Sequence, residues 1–441
     1  MAAYELLRAV ATRDAYANLA LPAILRDRRV VGRDAAFATE LGYGTLRGQG
    51  TYDAILAACV DRPLDGLDPP VLDVLRLGAH QLLGMRVPSH AAVATSVDLA
   101  RATVGAGASR LVNAVLRRVA DRDREAWLVA VAPPADDDPA AHLAVVHSHP
   151  RWVVAAFRAA LGGDVDETAA ALAADNVPPA VTLAARPGRC AREELVTLGA
   201  EPTRFSPWGA TLSTGDPGGI AAVAEGRAQV QDEGSQLVAL ALAAAPVDGP
   251  EHVWLDVAAG PGGKAALLQG IAAGRGIGYL AADRAPHRAG MVRAALAGAP
   301  GHWLVAAADG RSPLTAERSV DRVLLDAPCS GLGALRRRPE ARWRRLAADL
   351  PELTRLQRDL LGTALDAVRP GGIVAYVTCS PHPVETRQVV DAVAGRRDDV
   401  EVLDARPYLP DVPLLGPGPD VQLWPHRHGT DAMYLALLRR G

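Results

Sequence analysis

The chain has 441 residues, with 49% hydrophobic and 22% charged side chains, a formal net charge of −3 and a pI near 6.4. That length exceeds what one hydrophobic core carries, so two or three domains are expected, and the near-neutral balance excludes a protein that coats nucleic acid by bulk charge. The longest apolar stretch, about Leu237 to Val247, is too short to span a bilayer, and Met1-Ala2-Ala3-Tyr4-Glu5 lacks the basic and apolar parts of a leader, so a soluble, cytoplasmic protein with no membrane partner is expected.

From Glu5 to about Ala130, apolar residues recur at spacings of three and four, as in Leu72, Leu75 and Leu77 or Val112, Val115, Leu116 and Val119. This periodicity predicts an all-α bundle over residues 1–131. Asp68-Pro69-Pro70 has the form of a helix start, and Arg86-Val87-Pro88-Ser89 and Gly105-Ala106-Gly107 read as breaks. The acidic, proline-rich run from Ala132 to Pro139 predicts a linker over 132–141. Residues 142–224 mix short helices, Trp152 to Leu161 and Glu167 to Ala174, with a strand from Ala180 to Ala184, which predicts a small α+β module. From 225 to 441 the rhythm alternates. Strands are expected at Val253 to Asp256, Ile277 to Asp283, Trp303 to Ala307, Arg322 to Asp326 and Ile373 to Thr378. Helices are expected at Lys264 to Ala272, Arg288 to Leu296 and Leu353 to Val368, with a turn at Pro370-Gly371-Gly372. That order predicts a parallel, doubly wound, Rossmann-like α/β domain.

The carboxyl edge of such a sheet binds ligands. After the first strand, Ala258-Ala259-Gly260-Pro261-Gly262-Gly263-Lys264 lets the backbone pass close to a ligand and leads into a helix N-terminus. Alone, this turn does not separate a nicotinamide cofactor from S-adenosylmethionine. Asp283 ends the second strand, where a carboxylate can bond ribose hydroxyls, and Asp309 follows the third, within reach of an adenine amino group. Lys264 is the only lysine in the chain.

Four cysteines, Cys59, Cys190, Cys329 and Cys379, have neither disulfide-framework nor CxxC spacing and read as reduced thiols. Cys59 and Cys190 read as inert core residues. Cys329, in Asp326-Ala327-Pro328-Cys329-Ser330-Gly331, and Cys379, in Thr378-Cys379-Ser380, each follow an apolar strand. Two thiols delivered to one sheet edge suit covalent catalysis on a pyrimidine: a thiolate adding to C6 makes C5 nucleophilic, and loss of the C5 proton later frees the thiol. Asp326 is placed to hydrogen-bond the ring. Arg336, Arg337, Arg338, Arg342 and Trp343 follow the Cys329 loop and suit phosphate contact and base stacking, the alternative being a solvated helix with its tryptophan inward. His142, His147, His149, His426 and His428 lack partners at ligand spacing, so no metal is expected.

These motifs resemble the bacterial 16S rRNA cytosine-C5 methyltransferases of the RsmB (Sun/Fmu) group. The likeness covers nearly the whole chain: Arg33 to Leu41, Leu75 to Leu82 and Val112 to Arg118 resemble a NusB-like domain, and Gln229 to Gln236 precede the Pro-Gly-Gly-Lys, Asp-Ala-Pro-Cys-Ser-Gly and Thr-Cys-Ser motifs. The resemblance implies a NusB-like bundle, a middle RNA-binding module and a methyltransferase domain holding S-adenosylmethionine at Ala258 to Lys264, Asp283, Asp309 and Asp326. It assigns attack to Cys379 and product release to Cys329, on small-subunit rRNA with the target cytosine rotated out of its stack. This chain departs from the family's usual cysteine-alanine-alanine before Pro-Gly-Gly-Lys, and has Ala265 where a threonine is usual. A monomer is expected. The competing readings are a methyltransferase acting on another rRNA or a tRNA site, a non-catalytic RNA-binding scaffold, and a nicotinamide-dependent oxidoreductase; neither of the last two calls for both cysteine loops.

Overall fold

Among the described residues, which are all but Arg86 and Thr214, contacts divide the computed structural model into two units. One comprises residues 1–178 with 335–345, the other 179–334 with 346–441.

The first unit is helical: α1 (Ala2–Arg13), α2 (Ala17–Asp27), α3 (Gly32–Cys59), α4 (Pro69–Leu83), α5 (Ser89–Thr103), α6 (Ala106–Ala120), α7 (Arg124–Val131), α8 (Pro139–Val146), α9 (Arg151–Ala160) and α10 (Val165–Ala174). Proline occupies the first turn of α4, as the sequence predicts, and Gly105 at φ 130° separates α5 from α6. The break predicted at Arg86 to Ser89 falls partly outside the described residues, but α5 begins at Ser89. Val112, Val115, Leu116 and Val119 of α6 are buried on one face, in a core shared with α3 and α4. Residues 132–141 differ from a plain linker: Pro139 opens α8, whose first turn is capped by Asp138 accepting from the Ala141 amide. Helices α8 to α10 fall within this unit, so the stretch 142–224 is divided between the two units rather than forming one module.

The second unit begins with a four-stranded antiparallel sheet in the order β2-β3-β1-β4, built from β1 (Val181–Ala185), β2 (Glu201–Pro202), β3 (Gly209–Leu212) and β4 (Ala228–Val230), with short helices α11 (Arg192–Thr197) and α12 (Ala221–Ala224). Then come α13 (Glu233–Ala244), β5 (Val253–Asp256), α14 (Gly263–Gly274), β6 (Gly278–Asp283), α15 (Pro286–Leu296), β7 (Trp303–Ala307) and β8 (Val320–Asp326). After the excursion to the helical unit, which carries α16 (Ala341–Arg344), the chain forms α17 (Leu350–Ala367), β9 (Val368–Thr378), α18 (Arg387–Ala394), β10 (Val400–Leu403), β11 (Val421–Gln422), α19 (Pro425–His428) and β12 (Tyr434–Arg440).

Strands β9-β8-β5-β6-β7 are parallel neighbours, and β12 and β10 extend the β9 edge antiparallel. The expected parallel sheet is thus the centre of a mixed one. Alternation explains its double winding. Ile373, Ala375 and Val377 of β9 face one core with α13 and α14, while Val374 and Tyr376 face the other with α17 and α18. Both faces are apolar, so both are covered by helices. Order reverses at β5, which has β6 on one side and β8 on the other, and this switch point opens a crevice at the strands' carboxyl ends.

Candidate active site

Strand register delivers the functional side chains. In the β5–β8–β9 ladder Asp256 pairs with Leu324, and Asp326 pairs with Val377, so the loops after β5, β8 and β9 leave one edge side by side. Cys329 lies three residues past Asp326 and Cys379 one past Thr378. Their sulfurs are 3.5 Å apart. Both thiols are half-buried, whereas Cys59 and Cys190 are buried in the cores of their own units.

The glycine turn after β5 meets Asp283. The Gly260 amide donates to Asp283 Oδ2 at 3.0 Å, the Ala285 amide to Oδ1 at 2.9 Å, and Arg288 Nε stands 3.4 Å away. Gly262 has φ 113°, and a Cβ there would lie 2.8 Å from the Ala295 side chain and 3.2 Å from the Val292 backbone, so only glycine lets the turn pack on α15. Helix α14 then starts without a side-chain cap, which leaves its first-turn amides for a ligand's anionic group. Asp256 Oδ2 accepts from the Tyr279 hydroxyl at 3.1 Å, and its buried Oδ1 has no side-chain partner. The turn, the uncapped helix and Asp283 fit a nucleoside donor with a carboxylate. Gln229 supports this turn from β4, donating to the Gly263 carbonyl at 2.7 Å. Asp309 is engaged otherwise: Arg311 bonds both its oxygens, at distances down to 2.6 Å, and holds the carboxyl at about 2.

Lys264 sits in the first turn of α14 and reaches across the edge to Asp326, Nζ to Oδ2 2.8 Å. Burial disfavours its charge, but the Asp326 carboxylate outweighs this and keeps the ammonium above its ordinary range. Asp256 responds to the same crowding: burial first, then the Asp326 charge, push its carboxyl up to about 7. The two thiols diverge. The Cys329 hydrogen bond draws Cys379 below the ordinary cysteine value, with Lys264 assisting, while the same contact, burial and the charges of Glu385 and Asp326 raise Cys329. Of the two thiols, Cys379 is the more readily ionised.

Three residues that sequence reasoning missed complete the edge. Glu385, fully buried in the turn before α18, accepts from the Ser330 amide at 2.7 Å, the Ser330 hydroxyl and the Ser380 hydroxyl at 2.7 Å. Gln357 of α17 donates to Glu385 at 3.2 Å and to the Pro328 carbonyl at 2.9 Å. Gly333 donates its amide to the Cys379 carbonyl at 2.8 Å, and a Cβ there would stand 2.0 Å from the Ala432 carbonyl oxygen. The one local signal was that each cysteine is followed by serine.

The arginine run requires a correction. Leu335–Arg345 belongs to the helical unit. Arg342 is fully buried, and its guanidinium donates to the carbonyls of Arg47 (3.0 Å), Ser148 (3.2 Å) and Asp175 (2.8 Å) and to Asn176 Oδ1 (2.7 Å). Burial lowers it to about 10, so it stays charged at neutral pH but presents no cation to a phosphate. Arg336 is also buried, and the half-buried Trp343 ring packs on Gly50. Arg337 and Arg338 are exposed, with the Arg338 guanidinium 5.1 Å over the Tyr16 ring.

A doubly wound sheet whose first turn opens an uncapped helix, with an acidic second strand end, defines the class: an enzyme that holds a nucleoside-containing cofactor at the carboxyl edge of its sheet. The family model "16S rRNA methyltransferase RsmB/F" matches residues 241–439, and the NusB family model matches residues 1–121. Rv1407 of Mycobacterium tuberculosis is 53% identical over 441 residues, which is 100% of this chain and 96% of that protein. Ribosomal RNA small subunit methyltransferase B of Pseudomonas putida is 33% identical over 92% of this chain and 90% of its own length. Among solved structures, PH0851 shares the fold with a TM-score of 0.81 at 22% identity, over 100% of this chain and 98% of that one. The chain belongs to the RsmB/F family of rRNA methyltransferases, enzymes that use S-adenosylmethionine.

Proposed function

We propose that the chain methylates C5 of a cytosine in small-subunit rRNA through a covalent adduct between Cys379 and C6 of the ring. The observation that carries this reading is the pair of sulfurs 3.5 Å apart beside the Lys264–Asp326 ion pair. When bound, S-adenosylmethionine supplies an electrophilic methyl group; residues 258–264 and Asp283 would hold it. Cys379, whose anion is favoured by Cys329 and Lys264, adds to C6 and moves electron density onto C5. Asp326, held by Lys264, hydrogen-bonds the ring and keeps C6 in front of the sulfur. Once C5 is methylated, water takes its proton and the C6–S bond breaks, so Cys379 leaves as a thiolate, to which the Cys329 thiol donates a hydrogen bond. Asp309, committed to Arg311, contributes to the donor site through the loop it caps.

The test is methyl transfer from labelled donor to unmodified small-subunit rRNA. Cys379→Ala is expected to be inactive, and Cys329→Ala to accumulate a denaturation-resistant protein–RNA adduct. Full activity in Cys379→Ala would falsify the mechanism.

A further inference from the structure

We propose that Glu385 is a positioning residue for this reaction: its carboxylate ties together the serines that follow the two cysteines and thereby sets the distance between the thiols. The proposal rests on the two-cysteine mechanism above. Glu385 is fully buried, and each oxygen takes two bonds. Oε1 accepts from the Ser330 amide (2.7 Å) and Gln357 Nε2 (3.2 Å); Oε2 accepts from the Ser330 and Ser380 hydroxyls, which are themselves 3.1 Å apart. All four donors are neutral. A carboxylate removed from water is tolerated only when its lone pairs are met, so the four donors and the charge hold one another in place.

The geometry makes this a clamp on two loops rather than a general support. Ser330 and Ser380 are one residue beyond Cys329 and Cys379, and they come from different strand ends. Gln357 extends the clamp to the carbonyl of Pro328, on the other side of Cys329. Glu385 itself is anchored from below, its carbonyl accepting from the Tyr376 hydroxyl of β9 at 2.7 Å. No side chain capable of only two acceptor bonds replaces it. An amide in its place turns one acceptor oxygen into a donor: on the Ser330 amide side it would face donors, and on the hydroxyl side both serines must reverse to accept, so the acceptor that the two loops share is lost.

The test separates spacing from folding. Phenylarsine oxide bridges two sulfurs only when they lie close together, whereas iodoacetamide needs one thiol. Glu385→Gln is expected to lower kcat about a hundredfold with KM for rRNA and donor little changed. It is also expected to weaken phenylarsine oxide binding about tenfold while Cys379 still alkylates. The control is Asp321→Asn, a buried carboxylate elsewhere in the same unit that accepts from the Val253 amide at 2.7 Å and pairs with Arg369; it should leave arsenical binding and kcat as in wild type. Should Glu385→Gln not fold, the Ser330→Ala, Ser380→Ala double variant gives the same two readings. Wild-type arsenical binding in a folded variant overturns the proposal, whatever its activity; so does wild-type kcat. Arsenical binding is measured without rRNA, so it distinguishes a failed clamp from a failed covalent mechanism, which Cys379→Ala tests alone.

Discussion

Replacing Arg342 with methionine keeps most of the side-chain volume and removes the cation that four acceptors share, two of them in buried contacts and two in partly buried ones. Bonds from a charged donor are worth about 1.5 kcal/mol each at the low end, or about 6 kcal/mol for the four. Relief from desolvating the guanidinium returns part of this, so the net loss is about 3 to 5 kcal/mol, the range for breaking a buried charged network. Because the protein has two units, one global unfolding free energy is not well defined. The loss is therefore read as the opening free energy of amides in α3, by hydrogen exchange at pH 7. The second reading is binding to small-subunit rRNA between 50 and 200 mM salt, about the interval over which phosphate contacts reveal themselves. Arg342→Met should leave the salt slope unchanged. A slope that falls by about one unit, with wild-type exchange in α3, would refute the assignment and return Arg342 to the phosphate-contacting surface.

Two further outcomes follow from the donor edge. Asp256 keeps its proton to about 7 when folded against an ordinary 3.8, so the folded state binds the proton more tightly. Its contribution is therefore fully present below pH 4 and is lost as pH rises to 7, by at most about 4 kcal/mol. Asp256→Asn cannot ionise, so the opening free energy of its β5 amides relative to wild type should climb through that window in hydrogen exchange, and a pH-independent difference would contradict the buried-acid assignment. Gly262→Ala combines an unfavourable backbone angle with a Cβ 2.8 Å from Ala295, together about 2 to 4 kcal/mol. Both the urea midpoint and the calorimetric affinity for S-adenosylmethionine should drop; wild-type values of both would mean the turn has slack that its packing denies.

How much could be read from the chain alone depended on how local the physical cause was. Strand β5 begins and ends where the apolar run does, because a strand buried on both faces is a continuous hydrophobic segment bounded by turn residues. Pro370-Gly371-Gly372 signalled a turn by the same local logic. Strand β9 runs through it, but its pairing with β8 passes from Val368 directly to Ile373 and Gly371 has φ 74°, so the turn residues survive as an irregularity within the strand. The antiparallel strand β12 had no alternation to betray it, because most of Tyr434 to Arg440 is buried and apolar.

At the site, the residues whose chemistry is intrinsic, two cysteines, one lysine and the strand-end aspartates, were legible from type and position. Those whose role lies in satisfying a distant group were not. Arg342 is a surface cation by composition and a buried donor only because the carbonyls of residues 47, 148 and 175 converge on it. Glu385 is an ordinary loop acid until Ser330, 55 residues earlier, is brought against it. The two cases share a rule: a charged side chain goes inside when several polar partners from separate segments converge on its charged end. Such a group binds those segments to one another. In Arg342 that coupling fixes the return of residues 335–345 to the helical unit, and in Glu385 it fixes two thiols at reacting distance.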